Sequence, residues 1–346
     1  MWRGDTRRNS KSPRDFSIQE IQLVHPTETT PVTYLLCYIL RVVNLSMLRV
    51  LVSGSSGLVG SALVASLKSV GARVVRLARP ATVRSTSDEE RVPWDPSQPV
   101  SPDAVSGCDA VIHLAGESLV GRWTVNKKSR LRESRIPATA NLAHALAQAK
   151  AKPHIFLSAS AIGYYGNRGD ETLTEDSSPG TGFTADLARE WEQASWSAAQ
   201  AGIRTVQMRI GVVLATSGGA LSKMLPAFKL GLGGKLGDGR QWMSWIDLQD
   251  VIGAIQHILR SDLLHGPVNL VAPRPVTNEE FSKTLGSILS RPTVFPLPAF
   301  AARLAFGEMA DELLLASQRV EPTKLISSGY PFRFPTVRQS LKSLKL

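Results

Sequence analysis

The residues of this chain best suited to chemistry fall in two short stretches. In the first, Gly54, Gly57 and Gly60 take the spacing Gly-x-x-Gly-x-x-Gly, with Ser55, Leu58 and Val59 among them. Glycine lets backbone N–H groups reach a ligand with no Cβ in the way, and a helix starting there adds its positive dipole end. A pyrophosphate suits such a loop, so a nucleotide is expected at residues 54–60. The alternative is a tight turn that binds nothing. In the second stretch, Ser158, Ser160, Tyr164 and Tyr165 bring hydroxyl groups together. A serine hydroxyl can orient a carbonyl but is a poor acid. A phenol with a pKa near 10 can donate a proton if a cation lies nearby. Arg168, four residues past Tyr164, is a candidate for that cation. His113 is a further acid–base candidate, although a histidine inside an apolar strand is more often structural.

The elements around these residues can be read from periodicity. Val50-Leu51-Val52 is an apolar run suited to a parallel strand buried on both faces. From Leu58 onward Leu58, Ala62 and Ala65, with Val59, Leu63 and Leu67 opposite, recur at helical intervals. A glycine pattern between a strand and a helix is far stronger than one alone. Arg73–Leu77 reads as the second strand, followed by Ala78-Arg79, with Arg84 nearby and no acid before Asp88. A carboxylate there would hold a ribose 2′-hydroxyl, whereas a guanidinium would clamp a 2′-phosphate. NADP (NADPH) is therefore the expected cofactor, with Ala78 and Arg79 beside it.

Residues 80–108 read as a proline-rich connection. Ala110–Leu114 forms another buried strand, and the small residues after it would let the cofactor lie close to Leu114, Ala115 and Glu117. Asn126–Arg135 carries five basic residues, of which Arg135 is placed nearest the cofactor. His154–Ser158 is a further strand, Ala185–Ala201 a helix and Thr205–Val213 a strand. Such alternation predicts an α/β fold with a doubly wound parallel sheet. Ser158 and Ser160 then lie at a carboxyl strand end, where such sheets collect their ligands.

Composition sets the outer bounds. The 346 residues carry a formal charge of +11, with the basic side chains scattered apart from the 126–135 cluster. Nucleic-acid binding is accordingly the weakest of the functional readings. Two cysteines, Cys37 and Cys108, give no disulfide framework and fit a reducing, cytoplasmic setting. The longest apolar run, Tyr34–Leu40, is far too short to span a membrane. Residues 1–46 hold no sustained period and read as a disordered extension, with Met47 a natural start. The expected organisation is an extension over 1–46, a large α/β nucleotide-binding domain over 47–270 and an appended segment over 271–346. No metal site is expected; the expected partners are a small-molecule substrate and a second copy in a homodimer.

Six stretches carry a family resemblance: VLVSGSSGLVGSAL from Val50, VIHLAGE from Val111, SASAIGYYG from Ser158, RIGVVL from Arg209, GLGGKLGDGRQWMSWIDLQD from Gly231 and FGEMADELLLASQRVEP from Phe306. With these the chain resembles the extended or atypical short-chain dehydrogenase/reductases. More narrowly, it is similar to the epimerase family of NADP-dependent oxidoreductases. The resemblance runs from Met47 to the C-terminus and implies a Rossmann-type core, a smaller substrate-side region and a C-terminal module of unassigned role. By the resemblance, Ser160 takes the place of the family's strand-end serine, and Arg135 stands where sugar-nucleotide epimerases usually carry asparagine.

One departure matters. Where extended dehydrogenases place Tyr-x-x-x-Lys, this chain has Phe183-Thr184-Ala185-Asp186-Leu187. Phenylalanine has no ionisable hydroxyl, and leucine carries no donor. The expected substitutes are Ser160 as carbonyl orienter and Tyr164 as proton donor. Gly231, Gly233, Gly234, Gly237 and Gly239 are expected to form a flexible lid, and Asp247 and Asp250 to cap a helix. The leading functional reading is an NADP-dependent oxidoreductase or epimerase-like enzyme. The competing class is a cofactor-binding sensor without turnover.

Overall fold

The computed structural model describes Met1 and residues 44–79 and 90–346. The readings placed on residues 2–43, including Cys37 and the run 34–40, and on Arg84 and Asp88 lie outside the described residues. Seven strands form the main sheet: β1 (Arg49–Ser53), β2 (Arg73–Ala78), β3 (Glu90–Pro93), β4 (Ala110–His113), β5 (Ile155–Ala161), β6 (Arg204–Ile210) and β7 (Gly266–Leu270). Their order is β7-β6-β5-β4-β1-β2-β3, and every neighbouring pair is parallel. The expected α/β architecture is present.

The helices used below are α1 (Leu58–Ser69), α2 (Val125–Glu133), α3 (Ile136–Gln148), α4 (Phe183–Ala194), α5 (Gly219–Lys229), α6 (Leu248–Arg260), α7 (Asn278–Leu289), α8 (Ala299–Phe306) and α9 (Val337–Ser343). Strand alternation divides the core between the two faces of the sheet. Val50, Val52, Ile112, Leu157 and Met208 pack with Leu63 and Leu67 of α1 and Val251, Ile255 and Leu259 of α6. Leu51, Val75, Val111 and Phe156 meet Ala138, Leu142 and Leu146 of α3 on the other face. Leu45, just ahead of β1, is buried in the first of these layers.

Three boundaries differ from expectation, each for a local reason. The strand β3 lies within the stretch read as a connection. It is a four-residue edge strand whose Glu90 is tied to Arg49 at 2.5 Å and Arg73 at 2.8 Å. The helix expected over 185–201 breaks after α4, where Ser195 Oγ turns back to the Glu192 carbonyl at 2.7 Å and accepts from Gln207. The strand expected over 205–213 breaks at Gly211, where a Cβ would sit 2.6 Å from the Ser244 carbonyl oxygen. Val212–Leu214 then leaves the main sheet to pair with Trp245–Asp247.

Outside the main sheet, α5, α7 and α9 share a smaller core around Phe228, Trp245, Phe281 and Leu341. The chain also returns to the Rossmann side, where Arg319–Val320 pairs with Thr172–Leu173. Asp247 caps α6 through the Gln249 N–H at 2.8 Å, as expected. Asp250, one turn on, accepts instead from Tyr330 and from the backbone of Arg333 and Phe334. Among the described residues, no helix is long and apolar enough to cross a membrane.

Candidate functional site

The strand order reverses between β1 and β4, and the glycine loop stands at the carboxyl end of that junction. Such a reversal opens a crevice in which open α/β sheets bind ligands. Gly54 has φ +66°, and a Cβ there would lie 2.5 Å from the Leu114 carbonyl carbon. A Cβ on Gly60 would lie 2.1 Å from the Gly54 oxygen. Both glycines are therefore demanded by backbone contact. Gly57 differs: it N-caps α1 from an extended conformation, and its hypothetical Cβ meets only the Gly54 oxygen, at 3.3 Å. No side chain caps α1, and its first turn holds no acid. The backbone at Leu58, Val59 and Gly60 thus presents the open helix start that suits a pyrophosphate. On this geometry the loop fits a dinucleotide.

Four of the other expected cofactor residues, Ala78, Arg79, Leu114 and Ala115, stand at the carboxyl ends of the strands beside this loop. Ala78 closes β2, and Arg79 follows it, exposed. Leu114 and Ala115 follow β4 against Gly54. Beneath them His113 is fully buried, with Nδ1 2.6 Å from Ser53 Oγ, so it braces β4 against β1. Burial first, and then the charge of Arg135, pushes its pKa down to about 4. His113 is a neutral structural group with no surface to offer a substrate.

Glu117 and Arg135 are turned toward the protein. Hydrogen bonding to Lys127 at 2.7 Å holds the Glu117 carboxyl below its usual range. The Glu117 carbonyl accepts from Arg135 at 2.8 Å. The Arg135 guanidinium also donates to the Leu131 carbonyl and lies over Trp191, 5.0 Å from the ring centre. A Cβ at Gly116 would press on that guanidinium at 3.2 Å. Desolvation lowers the Arg135 pKa to about 10, so it remains a cation at neutral pH.

At the end of β5 the structure brings together a polar chain only partly legible in the sequence. Ser160 is 3% exposed and donates its hydroxyl proton to Glu192 Oε1 at 2.7 Å. Arg209 holds both Glu192 oxygens, through Nε at 2.8 Å and a second nitrogen at 2.9 Å. Its remaining terminal nitrogen donates to the Tyr165 hydroxyl at 3.0 Å, which donates in turn to Asn269 Oδ1 at 2.7 Å. Burial works against the charge on Arg209, but the Glu192 contacts outweigh it and keep the guanidinium above its usual range. Burial likewise pushes Tyr165 up to about 12, against the opposing pull of Arg209. Ser158 is buried beside this chain.

Tyr164 is half-buried, and the Arg209 guanidinium lies 3.5 Å from its ring centre, over its face. Arg168 is not the cation beside Tyr164. It is turned to Glu171, with nitrogen–oxygen distances of 2.6 and 2.8 Å. Sequence reasoning missed both Glu192 and Arg209. The available signal was an arginine inside an apolar strand, a residue that is almost never buried without a partner.

Phe183 and Leu187 join an apolar cluster with Trp123, Leu131, Met309, Phe306, Leu313 and Leu314. Phe183 and Leu187 thus form a docking face for the C-terminal segment, which also supplies Glu312. Its carboxylate accepts from the N–H groups of Phe183 at 3.2 Å and Thr184 at 3.1 Å, and from the Thr184 hydroxyl at 2.7 Å. It therefore caps α4. Gly182, at φ +105°, permits this approach, since a Cβ would lie 2.4 Å from Glu312 Oε1.

The basic helix α2 is matched by acids from several elements. Lys127 and Arg130 face Glu117, Lys128 pairs with Glu308, and Arg132 pairs with Glu190. The glycines over 231–239 do not make a loose lid. Gly233 and Gly234 allow close approach to Phe228 and to the Phe295 carbonyl. Hydrogen bonds join Gly237 to Leu297, Leu236 to Asn278 and Gly239 to Glu279. A surface hollow of about 550 Å³ along α7, lined by Glu280, Lys283 and Arg338, contains none of these site residues.

Comparison with known proteins agrees with this geometry. An epimerase family protein of Mycobacterium bovis is 44% identical over 294 residues, covering 84% of this chain and 96% of that one. The crystal structure of the human epimerase family protein SDR39U1 with NADPH superposes with a TM-score of 0.77 at 33% identity. It covers 86% of this chain and 98% of that one. A nucleoside-diphosphate sugar epimerase from Corynebacterium glutamicum matches at 36% identity and a TM-score of 0.70, over 86% of this chain and 58% of its own. Residues 297–344 match a domain of unknown function, DUF1731. Residues 50–270 match the NAD dependent epimerase/dehydratase family, and the chain belongs to that family.

Proposed function

We propose that this protein is an NADP(H)-dependent oxidoreductase or epimerase-like enzyme acting on a small molecule. The observation that carries this reading is the open start of α1 in the crevice at the strand reversal, with Ser160 and Tyr164 at or just beyond the end of a neighbouring strand. The NADPH bound to the human relative supports it. A bound nicotinamide would supply hydride chemistry. Gly54, Ser55, Gly57, Leu58, Val59 and Gly60 would hold the pyrophosphate, with Leu114, Ala115 and Ser158 along the crevice and Arg79 meeting the 2′-phosphate. Ser160 would hold the substrate, and Tyr164 would transfer the proton that carbonyl chemistry requires. Small-molecule carbonyls and alcohols, a homodimeric state and a cytoplasmic setting complete the proposal.

The test is a substrate screen with NADPH and with NADP, followed by Tyr164→Phe on any activity found. Loss of a general acid costs about 100- to 10,000-fold in rate, and a variant at full rate removes Tyr164 from the mechanism. A second reading, an NADPH-binding sensor without turnover, is favoured by the burial of Leu187 and the packing of Phe183 against the C-terminal module. Tight NADPH binding with no turnover across the screen would select it.

A further inference from the structure

We propose that Ser160 meets its ligand as a hydrogen-bond acceptor, and that the site therefore selects a compound bearing a hydroxyl beside the reacting carbonyl. The inference rests on the functional reading above and adds the substrate class, a hydroxy-carbonyl compound and its reduced polyol. The direction of every hydrogen bond in the buried chain is fixed by its ends. The Asn269 amide nitrogen donates to the Glu321 carbonyl at 3.0 Å, so Asn269 Oδ1 is the atom facing Tyr165. Tyr165 must donate to that oxygen, and its own oxygen accepts from Arg209. Arg209 is donor-only, and its other nitrogens face Glu192, which is therefore an ionised acceptor. Ser160 has one proton, and that proton goes to Glu192 at 2.7 Å. Only lone pairs remain on Ser160 Oγ. A bare carbonyl oxygen placed there would meet another acceptor, whereas a hydroxyl would donate. Tyr164, with its hydroxyl outside this chain, remains available to a carbonyl. Glu192 is thus a positioning residue: it sets which way Ser160 points.

Neutron diffraction from deuterium-exchanged crystals of the full chain with NADPH tests the polarity directly. The expected map places a deuteron between Ser160 and an ionised Glu192. A deuteron on Glu192, or one on Ser160 turned away from it, overturns the proposal. The ligand class is read with a matched pair, dihydroxyacetone and acetone, by saturation-transfer NMR on the NADP complex. Dihydroxyacetone should be retained about five- to ten-fold better than acetone, roughly the worth of one hydrogen bond. Ser160→Ala should abolish that preference, and so should Glu192→Leu, whose side chain accepts nothing from Ser160 and frees its proton. NADPH affinity should stay unchanged in both variants. Equal retention of the two ketones, or of neither, overturns the assigned class. Failure of the wild-type chain to bind NADPH would instead sink the cofactor reading, which separates the two outcomes.

Discussion

At the scale of single residues, the types were legible and their partners were not. Ser160 and Tyr164 could be picked out by hydroxyl chemistry, but Glu192 lies 32 residues from Ser160 and faces it only once α4 packs on β5. Arg168 was a natural neighbour for Tyr164 by sequence, yet Glu171 sits closer in the loop and takes it. His113 is the residue whose environment makes the sharpest forecast. Its folded pKa, about 4, lies below the 6.5 of an exposed imidazole. As pH falls, the unfolded chain takes the proton first, so the contribution of neutral His113 is complete above about pH 6.5 and is lost between 6.5 and 4. The shift is worth on the order of 3 kcal/mol. Unfolding free energies measured from pH 7 to 4 should fall more steeply in the wild type than in His113→Asn. Parallel curves would mean that His113 has the same pKa in the folded and the unfolded chain.

At the scale of elements, β1, β2, β4 and α1 were readable because burial on both faces leaves an uninterrupted apolar signal. The edge strand β3 carried none, since its four residues are half-buried or exposed and its register depends on Arg49 and Arg73. The glycines over 231–239 misled for a related reason: glycine signals close approach as readily as freedom, and only the neighbours decide. The contact between the C-terminal module and α4 was invisible, because Glu312 acts across 128 residues. That contact should matter to stability. Replacing a capping side chain costs about 0.5–2 kcal/mol, and Glu312→Ala should fall at the upper end, since one carboxylate serves two N–H groups and a hydroxyl. Glu312→Gln, which keeps one acceptor oxygen, should lose less. Urea unfolding of the two variants checks this, and equal midpoints for wild type and Glu312→Ala would show that the cap is dispensable.

At the scale of the whole molecule, the sequence pointed to a doubly wound sheet with its binding edge at the first glycine loop, because that topology follows from alternating strands and helices. It did not show where the core begins. Leu45 lies inside the stretch read as an extension, yet it is 3% exposed and packs in the α1 layer. A chain starting at Met47 should therefore lose roughly 1.5–3 kcal/mol, the worth of one buried leucine; an unchanged melting temperature would contradict this. Cofactor choice also belongs to this scale, because the proposed contact of Arg79 with a 2′-phosphate depends on where β2 ends. The central claim is a dinucleotide at that crevice with its 2′-phosphate on Arg79. Fluorescence titration of NADPH and NADH against wild type and Arg79→Ala tests it most directly. A charge-assisted hydrogen bond is worth about 1.5–3 kcal/mol, so the variant should bind NADPH about 10- to 150-fold more weakly while NADH affinity hardly moves. Equal weakening of both cofactors, or no saturable binding of either by the wild type, would contradict the account.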